Sequence, residues 1–246
     1  MNWSEKISVL RDIINSSDNI VFFGGAGVST ESNIPDFRSA SGLFAKLAGK
    51  KGISPEEMLS FTYFMNYTED YFDYYKDSLI YKDAQPNDAH LVLAKLEQMG
   101  KLKAIITQNV DGLHQKAGSK EVLELHGSIF RNYCMKCSKF FTLNYILESE
   151  GVPKCDLCGG IVKPDVVMYE ESLDMDILNK AVWYIENAEV LIVAGTSLTV
   201  YPAAGLIRYY SGKNLILINK TPTPYDSFAN LVINESIGKT LKACLA

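Results

Sequence analysis

Four of the five cysteines fall in two matched pairs, Cys134-x2-Cys137 and Cys155-x2-Cys158, with 17 residues between the pairs. Each pair forms a knuckle. Two knuckles at this interval, which lies in the zinc-ribbon range, close four thiolates tetrahedrally around one ion. Gly159 and Gly160 follow the second pair, as a tight knuckle turn needs. The expected ligands are Cys134, Cys137, Cys155 and Cys158, and the expected ion is a single zinc. Four thiolates leave no open coordination position, so this metal is expected to be structural and not a Lewis acid. A redox CxxC is the competing reading, but it has no use for a second matched pair. Paired cysteines favour metal over disulfide in a reducing compartment. The N-terminal stretch MNWSEKISVLRDII reads as an amphipathic helix without the apolar core and cleavage site of a signal peptide. No apolar run approaches the ~20 residues of a membrane span. A cytoplasmic chain without a membrane partner is therefore expected. Cys244 stands alone near the C-terminus, as an incidental helix residue.

The rest of the chain must supply the core. With 246 residues, 47% of them hydrophobic and 22% charged, it can bury a sizeable one without staples. Apolar runs at 20–24 (IVFFG), 104–107 (AIIT), 190–195 (VLIVAG), 215–219 (LILIN) and 231–233 (LVI) read as buried parallel strands. Helical stretches at 88–99, 174–186 and 202–211 lie between them. This alternation predicts an α/β fold, a parallel sheet with helices on both faces. Two stretches break it and read as insertions. Residues 127–163 carry the cysteine pairs. Residues 41–80 carry Tyr63, Phe64, Tyr67, Tyr71, Phe72, Tyr74 and Tyr75, which predict helices packed through aromatic faces rather than a platform for stacking bases. The formal net charge of −5 gives no basic surface for nucleic acid. Mild acidity suits a partner that presents lysine, although solvated surface accounts for most such excess.

The first strand runs into Gly25-Ala26-Gly27 and a predicted helix start. Small residues there let the backbone approach a pyrophosphate. Thr30 replaces the third glycine of the dehydrogenase fingerprint, and Lys46, Lys50 and Lys51 occupy the region where its ribose-binding acid would stand. The turn thus fits a dinucleotide without fitting ordinary hydride transfer, and a plain tight turn is the alternative. The TQNVDGLH run at 107–114 places Gln108, Asn109 and Asp111 at a strand's C-terminal end, where open α/β sheets bind ligands. A carboxamide or a ribose hydroxyl needs that mixture of donors and acceptors, and a capped turn explains it equally well. His126, in LELHGS, lies where the cysteine lobe begins and can act as a general base near neutral pH. A lone histidine is more often a satisfied structural residue. His90, in QPNDAH, reads as a structural residue of a first helical turn. Gly195-Thr196-Ser197 and Asn219 end two further strands at the same sheet edge, where structural turns also favour such residues.

Taken in order, GAGVSTESNIPDFRS at 25–39, QNVDGLH at 108–114, LHGS at 125–128, the two CxxC pairs, KPDVVMY at 163–169, GTSLTVYPAA at 195–204 and IN at 218–219 resemble the sirtuin family over most of the chain. The resemblance implies a Rossmann-like large domain of residues 1–40, 81–126 and 164–246. It also implies a small lobe built from a helical module, 41–80, and a zinc module, 127–163. NAD and an acylated lysine on a protein or peptide would meet in the cleft between them, and a monomer is the working expectation. Ala26 and Thr30 would contact the NAD phosphates and nearby groups. Asp36, Phe37 and Arg38 would lie on a mobile cofactor loop, with Phe37 shielding the reactive ribose face. Asn109, Val110 and Asp111 would form the nicotinamide pocket, and Gln108 would hold ribose hydroxyls. Gly195, Thr196, Ser197 and Asn219 would bind the adenosine half, with Ile237 beside them. Val166, Val167, Met168 and Tyr169 on one side, and Leu198 and Val200 on the other, would sandwich the substrate backbone as an added strand.

The activity implied is removal of acyl groups from protein lysines, with nicotinamide and O-acyl-ADP-ribose as products. The acyl oxygen would attack the ribose carbon that loses nicotinamide, His126 would act as base on the ribose hydroxyls, and water would complete the release. Asn109, Asp111 and His126 are the expected catalytic residues. Protein ADP-ribosyl transfer is the alternative on the same NAD site, and a sensor that binds without turnover is a further one. Two departures from the family stand out. Tyr169-Glu170-Glu171 replaces the frequent FGE. Members that prefer acidic acyl groups carry a Tyr and an Arg three residues apart; here Tyr75 is followed by Ser78, so neutral acyl groups are expected, acetyl first.

Overall fold

The computed structural model describes residues 1–40, 42–47 and 53–245. Lys50 and Lys51 lie outside the described residues, as does the side chain of Lys46. Nine strands are described: β1 (Ile20–Gly24), β2 (Leu102–Thr107), β3 (Val122–Glu124), β4 (Gly127–Cys134), β5 (Phe140–Thr142), β6 (Val162–Val166), β7 (Val190–Ala194), β8 (Asn214–Ile218) and β9 (Leu231–Ile233). The helices are α1 (Trp3–Ser16), α2 (Leu43–Leu47), α3 (Pro55–Met58), α4 (Phe61–Asn66), α5 (Thr68–Tyr74), α6 (Asp88–Gln98), α7 (Leu113–Lys116), α8 (Leu143–Glu148), α9 (Met175–Asn187) and α10 (Ile237–Leu245).

Six strands form one parallel sheet in the order β3-β2-β1-β7-β8-β9. The apolar runs are continuous because both faces of this sheet are covered. Alternate residues of β1 part to the two sides: Ile20 and Phe22 enter one core, Val21 and Phe23 the other. The first core is closed by α1, α6 and α10 through Leu10, Leu93 and Leu241. The second is closed by α9 and by a 3-10 helix, Ala203–Tyr209, through Ile185, Leu206 and Ile207. Each of these side chains, fully buried, stabilises the fold by about 1.5–3 kcal/mol relative to its exposed state. Cys244 belongs to the first core and donates to the Thr240 carbonyl, which makes it the helix residue expected.

Two elements differ from expectation. The glycine turn leads into a seven-residue 3-10 helix, Ala26–Ser32, and not an α-helix; it ends where Asn33 turns left-handed at φ 62°. The 202–211 stretch is likewise the 3-10 helix Ala203–Tyr209. Tight helices of this kind are used in short pieces, and both lie packed against the ends of β1 and β7. β3 falls outside the expected runs because its three residues, VLE, end on a charge and form no continuous apolar run.

The remaining strands form an antiparallel sheet, β5-β4-β6. The boundary expected between 163 and 164 falls inside β6, which pairs with β4 on both sides of that point. The 41–80 segment supplies α2, α3, α4, α5 and a π-helical turn, Tyr75–Leu79. Its Tyr63, Phe64, Tyr71, Phe72 and Tyr75 pack into one core with Ile129, Phe141, Ile146 and Val162 from the cysteine segment. Aromatic edge contacts run through it, such as Phe64 on Tyr71 with ring centroids 5.1 Å apart. Neither segment carries this core alone. Among the described residues, no helix is long and apolar enough to cross a membrane.

Candidate active site

The parallel strands end level. Gly24 pairs with Thr107 and with Ala194, and Ala194 pairs with Ile218. The chain order reverses at β1, with β2 on one side and β7 on the other, which is the switch point where open α/β sheets bind ligands. The loops leaving these strands are laced by backbone bonds: Gly25 N–H donates to Ala194 O, Gly27 N–H to Gly195 O, Gln108 N–H to Gly24 O, and Gly195 N–H to Ile218 O. A Cβ on Gly27 would stand 2.7 Å from Gly195 Cα and 2.9 Å from its carbonyl oxygen. The glycine is thus required by close approach of two protein loops, whatever ligand approaches it from outside.

Within this edge the expected polar residues meet. Ser29 Oγ donates to Asp111 Oδ2 at 2.6 Å and accepts from Asn109 Nδ2 at 3.1 Å. Asp111 Oδ1 accepts from Leu113 N–H, and Asn109 N–H donates to Thr107 Oγ1. Burial pushes the Asp111 carboxyl up from its ordinary range, while the bonds from Ser29 and Leu113 pull it back. Ser29 itself is fully buried and had no place among the expected residues. Its only signal was its position in the turn that faces the TQNVDGLH loop. Gln108 Nε2 donates to Thr196 Oγ1 at 3.1 Å, which joins the loops after β2 and β7.

His126 lies between β3 and β4, with Nδ1 2.9 Å from the carbonyl oxygen of Gln108. A carbonyl only accepts, so Nδ1 carries the hydrogen and Nε2 keeps its lone pair. Burial lowers the ring's pKa from its ordinary value, partly offset by that hydrogen bond. The next residue, Gly127, sits at φ 75°, and a Cβ there would run into the Asp165 carbonyl oxygen. The same junction carries an ion trio that sequence reasoning missed. Arg131 bonds Glu124 Oε2 at 2.6 Å and Asp165 Oδ2 at 2.7 Å, tying the end of β3 to β4 and β6.

The other expected residues divide by side-chain direction. Thr30 Oγ1 turns back to Gly27 O. Asp36 Oδ1 accepts from Ser39 N–H, Phe37 packs edge-on against Phe44 at 5.7 Å, and the Arg38 guanidinium lies over Phe44. Arg38 also reaches the Tyr169 hydroxyl at 3.4 Å, linking that loop to the end of the β6 segment. Ala26, Val110, Ser197 and Asn219 are half-buried, Ser197 bonding Thr199 and Asn219 bonding Thr221 O. Val166, Val167, Tyr169 and Val200 are half-buried too, with Val167 N–H given to His126 O. Met168, Leu198 and Ile237 instead turn their side chains into the three cores, so any ligand contact from them would come through backbone.

The four cysteine sulfurs lie within 4.8 Å of one another, with Cys134–Cys158 at 3.4 Å and Cys137–Cys155 at 3.6 Å. A tetrahedral zinc with bonds of about 2.3 Å needs sulfurs about 3.8 Å apart, so the donor set and its spacing fit the ion. Each knuckle ends on a left-handed residue, Ser138 at φ 58° and Gly159 at φ 70°. The cluster stands at the far end of β4 from His126, roughly 20 Å along the strand. Its ion would hold the lobe and take no part in the cleft.

Comparison with known proteins agrees with this geometry. A family model described as "Sir2 family" matches residues 25–202. A Clostridium tetani protein named NAD-dependent protein deacetylase is 67% identical over 233 residues, 94% of each chain. A Clostridium acetobutylicum protein of the same name is 62% identical over 242 residues, 98% of each chain. A solved structure of a Sir2 variant with a deacetylated p53 peptide and 3'-O-acetyl ADP ribose superposes with a TM-score of 0.89 at 37% identity, covering 97% of both chains.

Proposed function

The chain belongs to the Sir2 family and is an NAD-dependent protein deacetylase, and from that premise we propose how its own residues divide the work. The observation that carries the proposal is the cluster at the switch point, where Ser29, Asn109 and Asp111 are bonded to one another beside the Gln108–His126 contact.

When bound, NAD supplies a ribosyl carbon that exchanges nicotinamide for the acyl oxygen of the substrate. Asn109, Val110 and Asp111 hold the nicotinamide end, with Ser29 fixing the rotamers of both polar side chains. Gln108 holds ribose hydroxyls, and Gly195, Thr196, Ser197 and Asn219 line the adenosine half, with Ile237 beside them. Ala26 and Thr30 face the phosphates, and Asp36, Phe37 and Arg38 cover the reacting face. His126 takes a ribose hydroxyl proton at Nε2. Its Nδ1–H bond to Gln108 fixes the tautomer that leaves this nitrogen basic, and burial keeps the ring neutral at pH 7. The substrate backbone lies between 166–169 and 198–200 as an added strand. The large domain is 1–40, 81–126 and about 167–246, with the helical and zinc segments as one lobe. Ser78 stands beside Asp77 in the π-helical turn and brings no cation for an acidic acyl group, which favours neutral ones.

The test is incubation with NAD and an acetyl-lysine peptide. Nicotinamide and O-acetyl-ADP-ribose should appear in equal amounts with the free lysine. Label from NAD that ends on protein, without loss of acetyl, would replace this reading with ADP-ribosyl transfer.

A further inference from the structure

Glu170 holds a left-handed backbone at φ 78°. That conformation is uncommon for any residue but glycine, and Asn or Asp are the usual exceptions because their short side chains bond locally. Strain of this kind persists only where the surroundings over-determine it. Here they do. Tyr169 N–H donates to Leu59 O at 3.1 Å, and Phe61 N–H donates to Tyr169 O at 3.0 Å, a short parallel bridge to the helical segment. On the other side of Glu170, Glu171 closes the turn: its N–H donates to Met168 O, and its carboxylate accepts from Met168 N–H and pairs with Lys163. At the apex the Glu170 side chain crosses to α4 and accepts from Thr62 N–H at 2.8 Å. That donor is in the helix's first turn and has no partner within the helix.

We propose that Glu170 is a positioning residue that latches the substrate-side edge, residues 166–169, onto the helical segment through the backbone N–H of Thr62, and so sets how tightly an acylated peptide is held. Glutamate at this point is then an exchange: backbone ease is given up for a carboxylate bridge. The bridge spans 108 residues of chain and joins the wall of the peptide groove to the helical segment. It rests on the reading that the peptide lies along 166–169.

The experiment compares Glu170→Gly, Glu170→Gln and Thr62→Ala with the parent in steady-state deacetylation of an acetyl-lysine peptide. Glycine relieves the left-handed strain but removes the latch. Its melting temperature should be no lower than the parent's, while its KM for peptide rises about tenfold, with kcat and KM for NAD unchanged. Glutamine keeps an acceptor and should fall between. Thr62→Ala keeps the backbone donor but loses the hydroxyl's bond to the carboxylate, and should fall between the parent and the glycine variant. Amide exchange at Thr62 should quicken in the glycine variant. An unchanged peptide KM in Glu170→Gly, or an equal shift in KM for NAD, overturns the latch. A parent enzyme without NAD-dependent deacetylation would instead overturn the functional reading beneath it.

Discussion

Ser29 and Asp111 share a hydrogen bond of 2.6 Å across 82 residues of sequence, and it is the contact that aims the acid of the TQNVDGLH loop. The buried carboxylate has two donors, and Ser29 is one of them. Ser29→Ala should therefore cost about 1.5–3 kcal/mol of stability, the range for a hydrogen bond to a charged group. It should also let the Asp111 carboxyl rise further from its ordinary range, since the lost bond is one that lowers it. Thermal melting and KM for NAD report the two effects, and KM should rise. A variant with parent melting temperature and parent KM would remove Ser29 from the site.

His126 should govern the acid limb of the pH–rate profile. Burial lowers its pKa, so the ring stays neutral, and competent as a base, to a pH below the ordinary histidine value of about 6.5. The limb of kcat/KM should accordingly fall below that value, not above it. His126→Ala should lose at least ~100-fold in kcat, the usual contribution of a positioned base, and should lose that limb. A limb that persists in the variant would assign the titration to another group.

Acid sensitivity of the fold should come from a different pair. His90 on α6 and His114 on α7 stand with ring centroids 4.7 Å apart, and both are buried. His90 Nδ1 accepts from Asn87 N–H, while both His114 nitrogens lack a partner among the described residues. Burial lowers the pKa of His90 to about 4 and, with its neighbour, that of His114 to about 3. The folded values lie below the unfolded one, so the unfolded chain binds more protons as the pH drops. Stability is full above about 6.5 and falls as the pH goes through 6.5 toward 4, by about 3 kcal/mol from His90 alone. Denaturant melts between pH 8 and pH 4.5 measure this. His114→Leu should shrink the drop and leave stability at pH 8 little changed. A drop of full size in that variant would place the sensitivity elsewhere.

Removal of metal should act on the lobe before the sheet. A strong chelator should release one zinc per chain and abolish peptide deacetylation. Near-ultraviolet dichroism, which reports the packing of Tyr63, Tyr71 and Tyr75, should collapse at the same chelator concentration. Retained activity in protein freed of zinc would contradict a structural ion.

What the sequence disclosed and what it withheld divide along a physical line. The parallel sheet was legible in the runs at 20–24 and 190–195 because a strand covered on both faces is apolar at every position. The cysteine site was legible because its ligands are local pairs. Ser29, by contrast, sits inside the GAGVSTESNIPDFRS motif, but its role rests on a partner 82 residues away that nothing local discloses. The trio of Glu124, Arg131 and Asp165 was missed for the same reason. Direction was harder than position. Ile237 opens α10, and its Cδ1 packs beneath Gly195, where a Cβ would stand 2.9 Å from it. Which way a residue faces at an element's start depends on packing that a motif does not carry.

The shared core of the small lobe has a consequence for biogenesis. Tyr63, Phe64, Tyr71, Phe72 and Tyr75 share their core with Ile129, Phe141, Ile146, Cys155 and Val162 of the cysteine segment. At the usual ribosomal pace of about 5–20 residues per second, Tyr75 leaves the tunnel roughly 4–16 s before Cys155 does. Through that interval the aromatic helices lack the cysteine segment's share of their core. A cell short of zinc would thus register the shortage first in a stretch of chain that contains none of the metal's ligands.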